Sequence, residues 1–187
     1  GYITTTYDYD WDRAETEYLT AMRLRPGYAT AHQWYAEHLA FRGRTEEALE
    51  NISIALELDP FSLVINRMKG NILGFAGRYE EAIDQLNRTV DLHPESPVVR
   101  FNLGEAYAAR EMYPEAIEQF LTGFRLEGRK NYEIRRYENA YKLRGWKGFW
   151  MEYLASLITL QEAINDAEEK IYFDNESLAY AYAATGN

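Results

Sequence analysis

The sequence predicts an all-α fold, a right-handed superhelical solenoid of about ten helices in antiparallel pairs. Two observations support this prediction. Proline recurs at a fixed interval of 34 residues, at Pro26, Pro60 and Pro94, which indicates a repeat architecture. The 187 residues include only 5 prolines and 12 glycines but 16 tyrosines, a composition suited to long helices with large interlocking side chains. Each helix pair exposes an apolar face that a neighbouring pair must cover, so the pairs are expected to stack.

The first element is a lone second helix of a partial repeat, expected within residues 8–26. Asp10 or a neighbour should cap this helix just before Trp11, because its carboxylate can accept a backbone hydrogen bond. The acidic residues here alternate as in a calcium loop, but Arg13 and Leu19 stand where such a loop has Gly and Glu. We therefore expect no calcium site.

Three full repeats follow, at residues 29–62, 63–96 and 97–130. In each, acidic residues in the first turn of the second helix complement the helix dipole. Gly43 and Gly77 are expected to end the first helices, and the proline turns the chain after the second. Where the paired helices cross, small residues are required, because an added side chain would cost roughly 1 to 3 kcal/mol. These small residues are Ala36, Gly70 and Gly104 in the first helices and Ala48, Ala82 and Ala116 in the second.

The last part of the chain departs from this pattern. Residues 131–173 are predicted as a divergent repeat with a long second helix, in which Glu138 and Trp150 replace the small residues. Residues 174–187 are predicted as the first helix of a truncated repeat. The first helix could be covered only by the short Tyr2–Tyr7 segment, and the last helix has no partner. We therefore expect a fragment of a longer protein that either forms homo-oligomers through its open terminal helices or leaves the last helix frayed.

The repeats resemble the tetratricopeptide repeat, a 34-residue helix–turn–helix family, through the small residues, the proline and segments such as Arg78–Ile83. The resemblance covers most of the chain and implies a noncatalytic, cytoplasmic scaffold that binds protein or peptide without a cofactor. A narrower resemblance is to the tetratricopeptide tails of bacterial signalling proteins. It rests on Tyr9–Glu15, Tyr28–Ala36 and Gly145–Trp150, and implies the regulatory or sensory part of a larger protein of that kind.

The family resemblance also implies a binding site on the concave groove, which is lined by the first helices. Polar side chains alternate there with apolar ones, a mixture suited to an extended segment that needs both hydrogen bonds and pockets. The predicted groove residues are Gln33, Glu37, Phe41, Val64, Arg67, Asn71, Phe75, Val98, Phe101, Glu105, Tyr132, Arg135 and Asn139.

Part of this set resembles the clamp with which some members of the family hold a carboxylate. The resemblance is carried by Arg67 with Asn71 and by Arg135, two repeats further on, with its neighbour Asn139. The adjoining repeats place Glu37 and Glu105 where they could neutralise Arg67 internally, which disfavours the clamp.

Other functions stay open at this point. The chain could be a structural spacer or oligomerisation module without a groove ligand. Residues 125–147 contain eight basic and three acidic side chains, which could receive an acidic partner or form a solvated helix pair. Tyr132, Tyr137 and Tyr141 could stack on single-stranded RNA, but their helical spacing favours packing.

Composition excludes several classes of function. The formal net charge of −10 disfavours binding to nucleic acids and anionic membranes, and the uncharged apolar stretches are too short to cross a bilayer. No cysteine is present, which rules out disulfides, cysteine-ligated zinc and a thiol nucleophile. His32 and His38 lie six residues apart, on nearly opposite faces of one helix, so no metal site is expected. No phosphate-binding loop, nucleophile elbow or zinc-protease motif occurs, and no enzyme is predicted.

Overall fold

The computed structural model describes residues 10–166 and the single residue 183. These residues contain helices and no strand, so the predicted all-α fold is confirmed for them. The truncated repeat predicted at 174–187 lies outside the described residues except for residue 183. The eight described helices are α1 (Trp11–Leu24), α2 (Ala29–Phe41), α3 (Thr45–Leu58), α4 (Leu63–Phe75), α5 (Tyr79–Leu92), α6 (Pro97–Ala109), α7 (Tyr113–Leu126) and α8 (Asn131–Asp166).

The chain forms two compact units, Gly1–Gly123 and Phe124–Asn187, which are described separately below. In the first unit, successive helices pack in pairs, α2 on α3 and α4 on α5, and the first helices α2, α4 and α6 contact one another in turn. The division into 34-residue repeats stays a prediction.

Glycines end α2 and α4, because the chain takes a left-handed conformation there. Gly43 and Gly77 have φ of +72° and +71°. The following residue then folds its N–H back onto the preceding helix, as Arg44 does onto the carbonyl of Leu39 at 2.9 Å. Such φ values cost glycine little, since it has no Cβ.

The same turn recurs after α6 without a glycine. Glu111 stands 34 residues after Gly77 and has φ of +57°. The N–H of Met112 donates to the carbonyl of Tyr107 at 3.0 Å, so the turn keeps its hydrogen bond. A side chain at this φ costs roughly 1 to 2 kcal/mol, and the third turn is therefore strained.

Small residues let the paired helices approach closely. Ala48, Ala82 and Ala116 are fully buried. A Cβ placed on Gly70 would lie 2.6 Å from Cγ of Leu86, whose side chain is itself buried. The side chain of Leu86 on α5 therefore occupies the space beside Gly70 on α4. A methyl group at position 70 would have to displace it.

Polar side chains link the two helices of each full repeat at one register position, a feature that the sequence reasoning missed. The first-helix member often also contacts the preceding loop, as where His32 Nε2 lies 3.1 Å from the carbonyl oxygen of Pro26. We call these contacts the polar rungs. They are His32 with Asn51 at 3.4 Å, Asn66 with Gln85 at 3.0 Å and Arg100 with Gln119 at 3.0 Å.

His38 is enclosed by aromatic rings at the contact between α1 and α2. Its side chain is only 2% exposed, and neither ring nitrogen has a hydrogen-bond partner. The ring centroids of Trp11, Tyr18 and Tyr35 lie 5.4, 5.5 and 6.2 Å away. Burial lowers the pKa of His38 below its usual value. The imidazole therefore behaves as an aromatic core residue.

The second unit is built around the broken helix α8. Gly145 has φ of +64° and ψ of −156°, so the helical path breaks there and continues as a second arm. A Cβ on Gly148 would lie 2.5 Å from the carbonyl oxygen of Ala140, which places the arms in backbone contact.

The guanidinium of Arg129 lies 4.8 Å from the ring of Phe124. The buried aromatic residues of this unit are Phe124, Tyr137, Phe149, Trp150 and Tyr153.

Replacing Glu111 with Gly should stabilise the protein by about 1 kcal/mol, because glycine removes the strain of the left-handed turn. Gly77→Glu is the matched reverse change in the preceding repeat and should destabilise it by a similar amount. Urea unfolding of both variants measures the two effects. Stabilisation by Glu111→Gly smaller than a few tenths of a kcal/mol would contradict the assignment of strain.

The stability of the protein should depend on pH through His38. Its pKa is lowered in the folded state, so the unfolded chain binds the proton more readily and stability is lost as pH falls below about 6.5. The charged groups near the ring are Asp12 and Glu15 on α1 and Arg42 and Arg44 after α2.

His38→Phe keeps an aromatic ring in the same place and removes the titrating group. The urea midpoint of the unmodified chain should fall more between pH 7.5 and pH 5 than that of this variant. Equal falls for the two proteins would show that the His38 proton is not linked to unfolding.

Candidate functional site

The first helices of the first unit carry the predicted groove residues, and their apolar members are well exposed. Phe41 at the end of α2 is 65% exposed, and Phe75, 34 residues later at the end of α4, is 72% exposed. Val64 and Val98, near the starts of α4 and α6, are also exposed. Exposed apolar side chains therefore lie at the C-terminal ends of α2 and α4 and near the N-terminal ends of α4 and α6, where they are open to a ligand.

Polar side chains lie between these apolar ends and are joined to one another. The terminal nitrogen Nη1 of Arg67 donates to Oδ1 of Asn102 at 3.5 Å, and Nδ2 of Asn102 donates to Oε2 of Glu105 at 3.4 Å. Asn71, also predicted for the groove, is half-buried. Arg67 is thus held by neighbours in its own unit.

Glu37 on α2 is a carboxyl group whose pKa the charge of Arg67 influences. Burial raises the pKa of Glu37 above its usual range, and the positive charge of Arg67 opposes this rise. The carboxyl of Glu37 and the guanidinium of Arg67 therefore influence each other electrostatically, as the sequence indicated. This arrangement gives Arg67 less attraction for an added carboxylate than an isolated arginine would have.

Two predicted groove residues have a different environment from the one expected. Gln33 is buried among the helices. The ring of Phe101 is half-buried against Gly123, and its centroid lies 6.5 Å from that of Phe120. Gly123 leaves room for this ring, so Phe101 contributes to helix packing and only in part to the surface.

In the second unit, Tyr132, Arg135 and Asn139 are exposed on the first arm of α8. Nε of Arg135 donates to the carbonyl oxygen of Asn131 at 3.4 Å. Tyr137 is 1% exposed and packs in the aromatic core, so the three tyrosines considered for RNA stacking do not form one surface.

Asn102 was missed by sequence reasoning, although it binds Arg67. Its equivalents in the two preceding repeats are Trp34 and Met68, so no periodic polar signal marks the position. The contact could only be found from the packing of α4 beside α6.

The described residues contain neither a metal-binding cluster nor a helix suited to a membrane. Among the side chains described between residues 10 and 159, no group of three or more His, Asp or Glu is placed to hold a metal ion. No helix in that range is both long and apolar enough to span a lipid bilayer.

Comparison with a family model gives two matches to the tetratricopeptide repeat, at residues 9–62 and 67–123. Together they cover more than half of the 187 residues. No curated protein matches the sequence significantly.

Several solved structures share the fold. The crystal structure of MamA aligns with a TM-score of 0.60 and 15% identity, covering 97% of this chain and 92% of that one. MamA from Desulfovibrio magneticus RS-1, from residue 41 to its end, gives a TM-score of 0.64 and 18% identity over 82% and 86%. The first tetratricopeptide repeat domain of Spaghetti (RPAP3), bound to the HSP90 peptide SRMEEVD, gives 0.52 and 18% over 61% and 93%.

Removing the charge of Arg67 should raise the pKa of Glu37 further. Arg67→Met keeps much of the side-chain volume but removes the cation that opposes the effect of burial on the Glu37 carboxyl. Arg67→Lys is the control, since it keeps the charge. NMR titration of the Glu37 carboxyl carbon measures the pKa, and an unchanged or lower value in Arg67→Met would contradict the coupling.

Proposed function

The chain belongs to the tetratricopeptide repeat family, and from this premise we propose that it is a noncatalytic scaffold that binds an extended protein segment on the groove of its first helices. Members of this family are protein-interaction modules and are generally noncatalytic. The single observation that carries the proposal is the exposure of Phe41 and Phe75 at equivalent ends of adjacent first helices. An extended segment could bury these rings while its backbone reaches the polar side chains between the apolar ends.

The polar side chains of the first unit fit a ligand backbone better than a strongly charged group. Glu37 and Arg67 oppose each other's charge, and Asn102 joins Arg67 to Glu105. Amide and charged groups that already share hydrogen bonds can still accept or donate another bond to a peptide backbone. The proposed groove set of the first unit is Glu37, Phe41, Val64, Arg67, Asn71, Phe75, Val98 and Glu105, with Phe101 at its margin.

The cellular setting is proposed from the sequence resemblance to bacterial signalling proteins. In this proposal the chain is the cytoplasmic regulatory or sensory part of a larger bacterial signalling protein. Its groove binds the protein with which that signalling protein interacts. Self-association through the terminal helices belongs to the same proposal. It concerns residues 174–187, which lie outside the described part of the chain except for residue 183.

The test uses Phe41→Ser with Phe75→Ser, because both rings are exposed and their loss should leave the fold intact. A partner captured by the unmodified chain should bind this variant about tenfold more weakly or worse, since exposed aromatic anchors dominate such interfaces. Binding is measured by titration calorimetry with the purified partner.

The matched control is Leu24→Ser with Leu58→Ser, which removes two exposed apolar side chains from second helices. This control should bind within about twofold of the unmodified chain, because its changes lie off the first helices. A partner retained equally by all three proteins would favour the alternative function, a structural spacer without a groove ligand. Phe101 is not used, since its ring also packs on Gly123.

A further inference from the structure

Large apolar side chains are exposed where the second helices α3 and α5 end, away from the proposed groove residues. Leu58 and Leu92 are the last residues of these helices, at equivalent register positions, and both are exposed. Phe61, in the turn after α3, is 72% exposed. Its carbonyl oxygen lies 3.0 Å from Nε2 of His93, the residue that follows α5. The turn after α3 therefore lies beside the end of α5, and the three apolar residues share one edge of the first unit.

Carboxylates surround these apolar side chains. Glu57 and Asp91 each precede one of the two leucines, Asp59 follows α3, and Glu95 lies in the turn after α5. All four are exposed, and within the described part of the chain none of them forms an ion pair. We call the surface formed by these four acidic and three apolar side chains the acidic edge.

The acids that begin the same two helices have a different environment, because arginines bind them. Glu47 in the first turn of α3 accepts a hydrogen bond from Nη2 of Arg44 at 2.6 Å. Glu81 in the first turn of α5 accepts one from Nη2 of Arg78 at 2.7 Å. The chain thus supplies cations to the acids at the N-terminal ends of α3 and α5 and leaves the acids at the C-terminal ends without them.

The positions of Glu57 and Asp91 are unfavourable for the chain on its own. Both lie in the last turn of a helix, where the helix dipole and the unsatisfied carbonyl groups already concentrate negative charge. Neither last turn contains a basic residue. The preceding and following second helices in the chain, α1 and α7, have Arg23 and Arg125 at the equivalent register position. A cation from a partner would supply at α3 and α5 what α1 and α7 supply for themselves.

We propose that the acidic edge binds a basic amphipathic helix of a partner protein. The apolar side chains of that helix pack on Phe61 and the two leucines, and its lysines or arginines face Glu57 and Asp91. Long basic side chains can also donate hydrogen bonds to the free carbonyl groups at the ends of α3 and α5. This surface is separate from the proposed groove, because none of its seven residues belongs to the groove set.

The chemistry of the acidic edge favours a helix over an extended segment. Its side chains are carboxylates and hydrocarbons, and none is an amide that could pair with both the N–H and the C=O groups of an extended backbone. A helix pairs these groups internally and presents an apolar stripe beside a charged one. The edge offers the complementary arrangement, in which apolar side chains lie among acids.

The charges of the chain limit both the partner and the extent of this surface. Two copies of the chain repel each other, because each has a formal charge of −10, so a separate basic protein is the better occupant. On α1 the equivalent leucine, Leu24, lies between Arg23 and Arg25 in the sequence. These arginines would repel a basic helix, so the binding surface is confined to α3 and α5.

The test measures binding of a fluorescently labelled peptide by polarisation at an ionic strength of about 0.15 M, at which charges interact only over about 8 Å. The peptide is acetylated and amidated and is about 18 residues long, enough to form a helix when bound. Its leucines and lysines are spaced three and four residues apart so that each type forms one face.

Glu57→Gln with Asp91→Asn should weaken binding of this peptide about tenfold, because two carboxylates that face its lysines are lost. Phe61→Ser with Leu92→Ser should weaken it by a similar factor, because its apolar face loses its contacts. The charge variant should unfold at the same urea concentration as the unmodified chain or a higher one, since it removes negative charge from two helix C-termini. Weaker binding by an equally stable protein distinguishes a lost contact from a lost fold.

The matched control is Glu50→Gln with Asp84→Asn, which removes the same charges from exposed positions of the same helices, two turns or about 10 Å nearer their N-terminal ends. It should bind the peptide within about twofold of the unmodified chain. A scrambled peptide of the same composition, which has no separate faces, should bind the unmodified chain at least about tenfold more weakly than the amphipathic one.

Several results would overturn the proposal. They are no binding of the amphipathic peptide by the unmodified chain, undiminished binding by either edge variant, equal loss in the charge variant and its control, and equal binding of the scrambled peptide. Self-association of the unmodified chain that Glu57→Gln with Asp91→Asn abolishes would also overturn it, because a second copy would then occupy the edge.

The groove function is judged separately, through Phe41 and Phe75. The variant Phe41→Ser with Phe75→Ser should bind the basic peptide within about twofold of the unmodified chain, because neither ring belongs to the acidic edge. Loss of peptide binding in this variant would assign the peptide to the groove and overturn the present inference. Absence of peptide binding at the edge would leave the groove function standing.

Discussion

The structure depends on how closely paired helices can approach one another. In the first unit this distance is set where Gly70 meets Leu86 and where Ala48, Ala82 and Ala116 are fully buried. A protein interior packs as densely as an organic crystal, so a single extra methyl group must displace its neighbours. Because the approach is fixed, the exposed faces of α2 and α4 are fixed as well, and the exposed Phe41 and Phe75 at their ends are held in register by contacts on the opposite side.

Equivalent positions have acquired different electrostatic properties through their neighbours. Arg67 and Arg135 occupy the same place in the 34-residue register, yet one is opposed by Glu37 and the other has no carboxylate partner within the described chain. The repeat supplies a scaffold with a cation at a defined place. The neighbouring side chains then decide whether that cation stabilises the protein itself or remains available to a ligand.

Sequence periodicity predicts those features that the repeat imposes. The helices and the left-handed turns at Gly43 and Gly77 follow from residue spacing, and the turn at Glu111 could have been inferred from the same register. Features that arise from one specific contact could not be predicted in this way. Phe101 is half-buried because Gly123 provides the space for its ring, and Asn102 binds Arg67 although its equivalents are not polar.

The polar rungs have a consequence for how such an array can change over evolution. Each of the three pairs joins the two helices of a repeat, but the chemistry differs: an imidazole with an amide, an amide with an amide, and a guanidinium with an amide. A first helix exchanged into another repeat would bring a side chain of different length opposite the amide. At the buried pair of Asn66 and Gln85 this would leave a polar group without a partner, which costs about 1 to 3 kcal/mol. The repeats therefore share a backbone but differ in their side-chain pairs, so copying a whole helix pair keeps the matched partners, whereas exchanging a single helix carries this cost.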